Sequence, residues 1–289
     1  MHWLHNARNY MLYILSSLQE WVRKFVMFAG LYKPLEKQYS LCESVACIRC
    51  HNNVEIKKRA KNKLLKYANR MYVKNLTKSI SYSPETQDFI LYYPRLSSRP
   101  VWNYDDLPLS YQEDYRLLTE NIDVILKEYI NLKLQDFDGW SKFYLVNQGT
   151  KDTDNEKLCA VTYNIVKQCC NVMQGCLFGY VFFSVLPPNT TILKHRGPTN
   201  VRLRCHIALQ IPNKNSDSET SCLMNVDGEN VQWLHQKGVF FDDSFPHSVR
   251  YKTDSEDEVD RVVLLLDFWH PDLTSEERRC LQNCYSPLQ

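Results

Sequence analysis

The sequence predicts a mainly β core preceded by an N-terminal α-helical extension. Over residues 201–211 the side chains alternate between apolar and polar, which is the two-residue period of a strand. The runs GVFF at 238–241 and RVVLLLDFW at 261–269 are apolar and rich in β-branched or aromatic residues, as in buried strands. Residues 53–72 instead repeat their apolar side chains at helical spacing, so the extension is predicted to be helical.

Length and composition are those of a globular protein. The 289 residues are enough for one large domain with an extension or for two modest domains. Hydrophobic residues make up 44% and charged residues 24% of the chain. The 35 basic side chains are balanced by 33 acidic ones, so no nucleic-acid partner is expected. The 11 cysteines follow no regular disulfide spacing and leave the redox compartment open.

Residues 1–40 are predicted to form an amphipathic or membrane-associated segment. Residues 10–32 are strongly apolar, but Glu20, Arg23 and Lys24 lie in the middle, where insertion into a bilayer is costly. We therefore expect an amphipathic helix that lies on a membrane or packs on the protein, and not a clean membrane span. Membrane association through residues 10–32 follows from the first of these two interpretations.

Residues 41–100 are predicted to be a helical region that contains cysteines. Four candidate zinc ligands lie close together in this region: Cys42, Cys47, Cys50 and His51. They are enough to close a tetrahedral zinc site, although their spacing is not that of a standard finger. A local disulfide and free thiols are the two other interpretations.

The helix predicted over residues 53–72 is locally basic. Its lysine-rich part at residues 57–66 is typical of a solvated helix face, with phosphate or lipid-surface binding as the alternative. Prolines and aromatic residues between positions 83 and 108 have loop composition. We therefore place the domain limit near residue 100.

The remaining residues, 101–289, are predicted to form one β domain with a helix on its outside. In residues 111–134, apolar side chains alternate with charges as in an amphipathic helix that packs on a sheet. The sheet is expected to begin at Trp140. The sequence contains no internal repeat.

Two histidines are candidate metal ligands. His195 lies just before the strand at 201–211, and His247 follows the apolar run at 238–241 and a turn. The polar side of the first strand carries arginines, and the last strand begins with Arg261. Imidazoles on different strands beside arginines are typical of an iron site with an anionic co-substrate next to it. For residues 201–211 alone, an ordinary half-exposed strand is the alternative. Two further histidines are interpreted as structural: His235 and His270.

Four motifs extend this pattern: HRGPTN at 195–200, RLRCH at 202–206, FDDSFPH at 241–247 and DFWHP at 267–271. In order and spacing they resemble the aspartyl/asparaginyl β-hydroxylases, which are iron(II)- and 2-oxoglutarate-dependent oxygenases with a double-stranded β-helix core of the jelly-roll or cupin-like type. With a weaker match at residues 143–149, the resemblance covers roughly the C-terminal half. The C-x4-C-x2-C spacing that starts at Cys42 is similar to the aspartate β-hydroxylase domain-containing branch of that family.

The resemblance implies that His195 and His247 hold Fe(II). Most enzymes of this class have a carboxylate two residues after the first histidine, where this chain has Gly197, and the β-hydroxylases share this departure. Two protein ligands would leave the other octahedral positions to 2-oxoglutarate, dioxygen and water. Asp243 is implied as a catalytic residue that binds a water next to the metal. Gly197→Asp is expected to bind iron more tightly and to lower activity.

The resemblance also implies a binding site for 2-oxoglutarate. Arg261, helped by Ser184, would pair with the distal carboxylate, because a guanidinium offers two parallel donors to a carboxylate. Arg204 and His206 would contact the co-substrate nearer the metal. Arg202 is interpreted as a structural or substrate-facing residue.

The implied reaction couples oxidative decarboxylation of 2-oxoglutarate to hydroxylation of the β-carbon of Asp or Asn in a protein or peptide. Domains similar to epidermal growth factor are a substrate class of the family, although the tandem helical repeats of its best-known hydroxylases have no counterpart in this sequence. A catalytically silent module that binds the metal and 2-oxoglutarate is the alternative function. A halogenase is a third, because loss of the carboxylate makes room for chloride at iron.

The resemblance also bears on localisation. Members of the family are commonly membrane proteins with a lumenal catalytic domain, which implies association with the lumenal side of the endoplasmic reticulum membrane. A cytoplasmic location is the alternative.

Overall fold

Two β-sheets form the centre of the described part of this protein. The computed structural model describes residues 37–39, 53–67, 90–93, 95–132, 139–212, 221–254 and 259–287. The segment at 10–32 and the cysteines at 42, 47 and 50 lie outside these described residues, so the interpretations of both stay predictions. Within the described ranges, no helix has the length and apolarity that crossing a bilayer requires.

The elements are numbered here in chain order. The strands are β1 (Lys37–Tyr39), β2 (Val101–Trp102), β3 (Ser141–Asn147), β4 (Thr150–Lys151), β5 (Val181–Leu186), β6 (Thr190–His195), β7 (Arg202–Gln210), β8 (Ser221–Val226), β9 (Glu229–Val231), β10 (Gly238–Phe241), β11 (His247–Lys252) and β12 (Arg261–Trp269). The helices are α1 (Asn53–Tyr67), α2 (Leu109–Glu120), α3 (Ile122–Asn131), α4 (Thr153–Leu158), α5 (Ala160–Gln168) and α6 (Ser275–Cys284).

The described strands form two sheets. One has the order β1-β6-β11-β8-β9, and the other has the order β2-β10-β7-β12-β5-β3-β4. β1 runs parallel to β6, while the pairs within the rest of both sheets are antiparallel. Side chains from both sheets line a shared cavity. The predicted mainly β class and its double-stranded β-helix core are therefore confirmed.

Strand β7 has the two different faces that its alternating sequence predicts. Leu203, Cys205 and Ile207 are fully buried in a core cluster that also contains residues of α2, α3 and α5. Arg202 and His206 lie on the opposite face and line the cavity. The edges of β7 are paired with β10 and β12, one face is covered by the helical layer, and the other faces the cavity that the second sheet also lines. The alternative of a half-exposed strand is therefore wrong.

The helix predicted over residues 111–134 is in fact two helices, α2 and α3. The break falls at Asn121, whose φ and ψ of −109° and 13° are not helical. Its side-chain Nδ2 donates to the carbonyl oxygen of Leu117 at 2.8 Å. An asparagine that bonds to nearby backbone in this way competes with the helical pattern. Leu118, Ile122 and Ile125 still face the core on either side of the break, so the predicted packing is retained.

Helix α1, predicted over residues 53–72, is present from Asn53 to Tyr67 and packs on α6. Ile56 and Ala60 on α1 are buried in one cluster with Leu281 of α6. The Nζ of Lys63 donates to the carbonyl oxygen of Asn283 at 3.0 Å, which places a positive charge at the C-terminal end of α6. Residues 37–289 group as one compact unit, so described residues on both sides of position 100 pack together.

Candidate active site

The two candidate metal ligands are neighbours on paired strands. His195 is the last residue of β6 and His247 is the first of β11, and they lie opposite each other in the antiparallel register. Their ring centroids are 4.2 Å apart, with an interplanar angle of 56°. The register shifts directly after His247, as in a β-bulge. The pairing thus brings together the two imidazoles that the sequence had separated by about fifty positions.

Each imidazole is oriented by a backbone carbonyl. The Nδ1 of His195 lies 2.7 Å from the carbonyl oxygen of Leu193, and the Nδ1 of His247 lies 2.9 Å from that of Phe245. With the proton on Nδ1, each ring donates to its carbonyl, and the lone pair is on Nε2. This is the usual way in which a metal-binding histidine is held.

The position two residues after His195 has no room for a carboxylate. A Cβ added to Gly197 would lie 2.4 Å from the Oδ2 of Asp243. The backbone N–H of Gly197 also donates to the carbonyl oxygen of Asp243 at 2.5 Å. The prediction that Gly197→Asp binds iron more tightly requires a carboxylate that fits here without strain, and the carboxylate of Asp243 already lies in this space. The effect of this substitution on iron binding stays a prediction.

Two arginines and two aspartates form a buried ionic network beside the histidines. Arg202 donates from Nε to Oδ1 of Asp243 and from Nη1 to Oδ2 of Asp267, both at 3.0 Å. Arg204 binds Asp267 with two donors, at 2.8 and 3.0 Å, and its Nη1 lies 3.3 Å from Asp243. Burial by itself would raise the pKa of Asp243, but the two guanidinium groups hold it below its usual range.

The network alters the interpretation of its two arginines. Arg202 is 2% exposed and is fully engaged with aspartates and with the carbonyl oxygen of Phe178, which agrees with a structural role. Arg204 lines the cavity, as its predicted contact with the co-substrate requires. Most of its donors are nevertheless directed at Asp267 and Asp243, so its charge is largely balanced within the protein.

Arg261 is a buried arginine with donors left over. Its Nη2 donates to the Oγ of Ser184 at 3.5 Å, while Nε and Nη1 have no hydrogen-bond partner among the described residues. Burial lowers the pKa of this guanidinium to about 10. Ser184 also accepts a hydrogen bond from the Nε1 of Trp140 at 3.0 Å. Because both of these neighbours donate to Ser184, its own hydroxyl proton can be donated to a ligand.

His206 is buried beside Arg261 in the same cavity. Within the described part of the chain, neither of its ring nitrogens has a hydrogen-bond partner. Burial, followed by the positive charges of Arg261 and Arg204, lowers the pKa of His206 well below its ordinary value. The ring is therefore neutral at physiological pH and has one donor and one acceptor to offer.

These side chains surround a cavity of about 340 Å³, a size suited to a small ligand. All the candidate site residues line it: Ser184, His195, Arg204, His206, Asp243, His247 and Arg261. Across the described residues, no group of three or more His, Cys, Asp or Glu side chains is arranged to hold a metal. The candidate ligands for a metal are therefore the paired imidazoles of His195 and His247. The charged side chain of Arg261 lies elsewhere in the cavity wall.

Sequence reasoning gave no site role to three residues that lie in the cavity wall or contact residues of that wall. Trp140 was interpreted only as the start of the sheet, Trp233 lies in a polar segment, and Asp267 belonged to a motif without an assigned role. Asp267 had a detectable signal, since it is the one carboxylate between the apolar residues of RVVLLLDFW. An acid in a buried strand must be paired, so a partner such as Arg204 could have been inferred.

Two further histidines of the described residues, His235 and His270, lie outside the cavity lining. His270 is buried, with Nε2 2.9 Å from the carbonyl oxygen of Ser97 and Nδ1 accepting from the backbone of Asp272 at 3.2 Å. His235 is exposed. Neither position contradicts the interpretation of these residues as non-catalytic.

Two sheets around a cavity with paired histidines at one wall define a protein of the double-stranded β-helix class. Residues 111–271 match the sequence profile of the family described as Aspartyl/Asparaginyl beta-hydroxylase. The chain belongs to the aspartyl/asparaginyl β-hydroxylase family, as its motifs had indicated.

Two relatives in sequence agree with this assignment. Aspartate beta-hydroxylase domain-containing protein 2 of Xenopus tropicalis is 30% identical over 277 residues, which cover 88% of this chain and 73% of that protein. Aspartyl/asparaginyl beta-hydroxylase of Homo sapiens is 29% identical over 197 residues, or 64% of this chain and 24% of that protein. A solved Pseudomonas putida prolyl-4-hydroxylase aligns with a TM-score of 0.32 and 15% identity, covering 53% of this chain and 86% of that one.

Proposed function

We propose that this protein is an Fe(II)- and 2-oxoglutarate-dependent dioxygenase that hydroxylates the β-carbon of Asp or Asn residues in a protein substrate. The observation that carries the proposal is the set of unpartnered nitrogens on Arg261 and His206, buried in the cavity that His195 and His247 also line. Buried polar groups without partners cost free energy. A small acid bound in the cavity would remove that cost.

The histidine pair fits a divalent metal ion. His195 and His247 would hold the iron through Nε2, because each Nδ1 is directed to a backbone carbonyl. Imidazole suits Fe(II), and a site with few protein ligands leaves positions for co-substrates. When bound, the iron supplies the oxidation that couples 2-oxoglutarate decarboxylation to hydroxylation.

The arginines that line the cavity fit the carboxylate groups of 2-oxoglutarate. Arg202 and Arg204 are balanced by Asp243 and Asp267, so the donors of Arg261 are the ones that remain for a ligand. A guanidinium binds one carboxylate bidentately through Nη2 together with Nε or Nη1, and the Nη2 of Arg261 has a second N–H besides the one directed at Ser184. The Ser184 hydroxyl would add a third hydrogen bond, and the neutral ring of His206 would add a fourth.

Asp243 would orient a water molecule beside the histidines. Arg202 and Arg204 keep its carboxylate ionised, so it acts as an acceptor throughout the physiological pH range. Its carboxylate also lines the cavity. An ionised acceptor at this position would fix the direction in which a neighbouring water donates.

The substrate and the location are further parts of the proposal. The substrate would be a protein or peptide that presents Asp or Asn, with domains similar to epidermal growth factor as the first class to test. Residues 10–32 would attach the protein to the lumenal side of the endoplasmic reticulum membrane. A cytoplasmic protein would carry out the same reaction on a different set of substrates.

The test is a turnover assay with the full chain, Fe(II), 2-oxoglutarate, dioxygen and a library of Asp- and Asn-containing peptides. We expect succinate and a peptide heavier by one oxygen atom, formed in equal amounts, and neither product with His195→Ala. Binding of 2-oxoglutarate without succinate would identify a catalytically silent module. A chlorinated peptide formed in the presence of chloride would identify a halogenase.

A further inference from the structure

The segment between β9 and β10 places one tryptophan behind the cavity wall. Trp233 is 4% exposed, whereas the next residue, Leu234, is 61% exposed. Trp233 packs in a core cluster with Met224 and Val249, two residues that line the cavity. The indole itself is not part of the lining. Trp233 is therefore the residue by which an otherwise exposed segment contacts the cavity wall.

The indole of Trp233 contacts two cavity groups that have unpartnered nitrogens. Its plane lies within 14° of the His206 imidazole, with ring centroids 6.0 Å apart. The guanidinium carbon of Arg261 lies 5.1 Å from the centroid of the same indole. One aromatic side chain thus supports both groups.

Hydrogen bonds do little to fix these two groups. Neither ring nitrogen of His206 has a partner among the described residues, and Arg261 has only the long contact of 3.5 Å with Ser184. Aromatic contacts remain, namely the face of Trp233 and, for His206, the edge of Phe241 at 5.0 Å and 83°. The electron-rich face of an indole also favours a guanidinium cation, which offsets part of the cost of burying Arg261.

We propose that Trp233 is a positioning residue that aligns Arg261 and His206 for the carboxylic acid bound in the cavity. It acts through these two groups and does not touch the acid. The inference depends on the proposed function only for the identity of that acid as 2-oxoglutarate. It assigns to the β9–β10 segment a part in co-substrate affinity that its exposed, polar sequence does not suggest.

The chain contains a closely matched control, Trp102. Its ring also contacts one arginine and one histidine, Arg99 at 5.2 Å and His270 at 5.4 Å. It is similarly buried, at 6% exposure, and it does not line the cavity. Trp233→Met and Trp102→Met remove the same ring from buried positions beside an arginine and a histidine, although Arg99 is half exposed and Arg261 is buried. Trp233→Phe keeps an aromatic face.

The experiment measures dissociation constants of 2-oxoglutarate and glutarate by calorimetry, with the full chain and Mn(II) in place of iron. We expect the Kd of Trp233→Met to rise about tenfold or more, since the acid would then have to order two side chains, Arg261 and His206, that the ring no longer holds. Trp233→Phe should stay within about threefold of wild type, and Trp102→Met within about twofold. In turnover, Trp233→Met should raise KM for the acid more than it lowers kcat.

An unchanged Kd in a folded Trp233→Met protein would overturn the proposal, and so would an equal loss of affinity in Trp102→Met. If Trp233→Met does not fold, fluorinated tryptophan at position 233 weakens the ring face without a change of shape, and affinity should fall as fluorine atoms are added. The same replacement at position 102 should have no effect on affinity.

The two proposals fail separately. If the wild type binds glutarate but not 2-oxoglutarate, the proposed function is wrong, and the comparison of variants proceeds with glutarate. If the wild type binds neither acid, the positioning proposal is wrong as well.

Discussion

Asp243 occupies the space that a side chain at position 197 would need. Its carboxylate is held by Arg202 and Arg204, so it cannot move aside without breaking a buried ion pair. Breaking such a pair is costly because an unpaired charge is left in the interior. The glycine and the ionic network are therefore parts of one arrangement.

The first prediction tests this arrangement with Gly197→Ala. The new Cβ would lie 2.4 Å from Oδ2 of Asp243, so the variant should lower the free energy of unfolding by about 1–3 kcal/mol, as overpacking does. Urea denaturation followed by circular dichroism measures the change. A wild-type midpoint and slope would mean that the carboxylate of Asp243 moves without cost.

The second prediction concerns the metal ligands. His195→Ala and His247→Ala should each abolish Fe(II) binding, because only one of the two paired imidazoles would remain and the described residues form no other cluster of ligands. Equilibrium dialysis with metal analysis gives the bound iron. His235→Ala, which changes an exposed residue, should bind iron as the wild type does. Tight binding by either of the first two variants would place the metal elsewhere.

The third prediction is a pH dependence at Asp242. Burial raises the pKa of this carboxyl to about 7, although the backbone N–H of Ser244 donates to it at 2.9 Å. The folded state thus keeps a proton on Asp242 that the unfolded state loses at pH ~4. The stabilisation that this proton gives the folded state is complete below that pH and is lost as the pH rises through about 7. Asp242→Asn has no such loss. The melting temperature of the variant should therefore rise relative to wild type between about pH 5 and about pH 8.

Two other groups do not obscure this test of Asp242. Asp243 has a lowered pKa, so its contribution to stability is lost as the pH falls from its ordinary value of 3.8 through its folded pKa, which lies below the chosen window. His206 is present in both proteins, and its titration cancels in the difference. A constant difference in melting temperature across the window would contradict the raised pKa of Asp242.

At the scale of elements, strand pairing assembles the site. β6 ends and β11 begins at the same position of one sheet, which brings His195 and His247 together. In the facing sheet, β12 pairs with both β5 and β7. Arg261 at the start of β12 thereby lies opposite Leu186 and close to Ser184 of β5. Each functional side chain thus lies where the end or the face of a strand meets the cavity.

The fourth prediction tests the packing of α1 on α6. Ile56 is 1% exposed and contacts the cluster around α6, whereas Val54 on the same helix is 75% exposed. Ile56→Ala should lower the free energy of unfolding by about 2–5 kcal/mol, and Val54→Ala should leave it nearly unchanged. Chemical denaturation of both variants measures the two changes in the free energy of unfolding. Equal, small effects would mean that α1 contributes little to the stability of the β domain.

At the scale of the whole molecule, the two sheets and their helical layer leave one face of β7 in the core and the other in the cavity. The elements that pack together come from distant parts of the sequence, from β1 at Lys37–Tyr39 to α6 at Ser275–Cys284. β1 pairs with β6, the strand that ends in His195. A truncation that keeps β1 therefore keeps the strand next to β6 and its candidate metal ligand His195.

The fifth prediction is such a truncation. Deletion of residues 1–35 spares Lys37–Tyr39 and should leave Fe(II) binding unchanged. The same deletion should remove the protein from the membrane fraction, since residues 10–32 are the predicted membrane-associated segment. Sedimentation with vesicles and iron titration of both forms measure the two effects. A full-length protein that stays in the supernatant would contradict membrane association through residues 10–32.

Part of the β framework could be predicted from the sequence, because the side chains of a strand alternate between its two faces and a strand with one apolar and one polar face therefore has a two-residue period. The alternation over residues 201–211 and the apolar run of β12 identified both strands, and β12 has the predicted limits. The candidate ligands were found as histidines beside strands that carry arginines, and the resemblance to the family then assigned Arg261 as the anchor. The division of residues 111–134 into α2 and α3 was missed, because it depends on a side-chain hydrogen bond of Asn121.

The sequence by itself determined the family, the strand framework and the candidate site residues, since these follow from local patterns and from motifs in a fixed order. Only the tertiary structure decided which charges balance each other. Arg202, Arg204 and Arg261 look alike in the sequence, yet two are paired with Asp243 and Asp267 while Arg261 keeps donors for a ligand. Pairing depends on distances between strands that are far apart in the chain, and local sequence does not encode such distances.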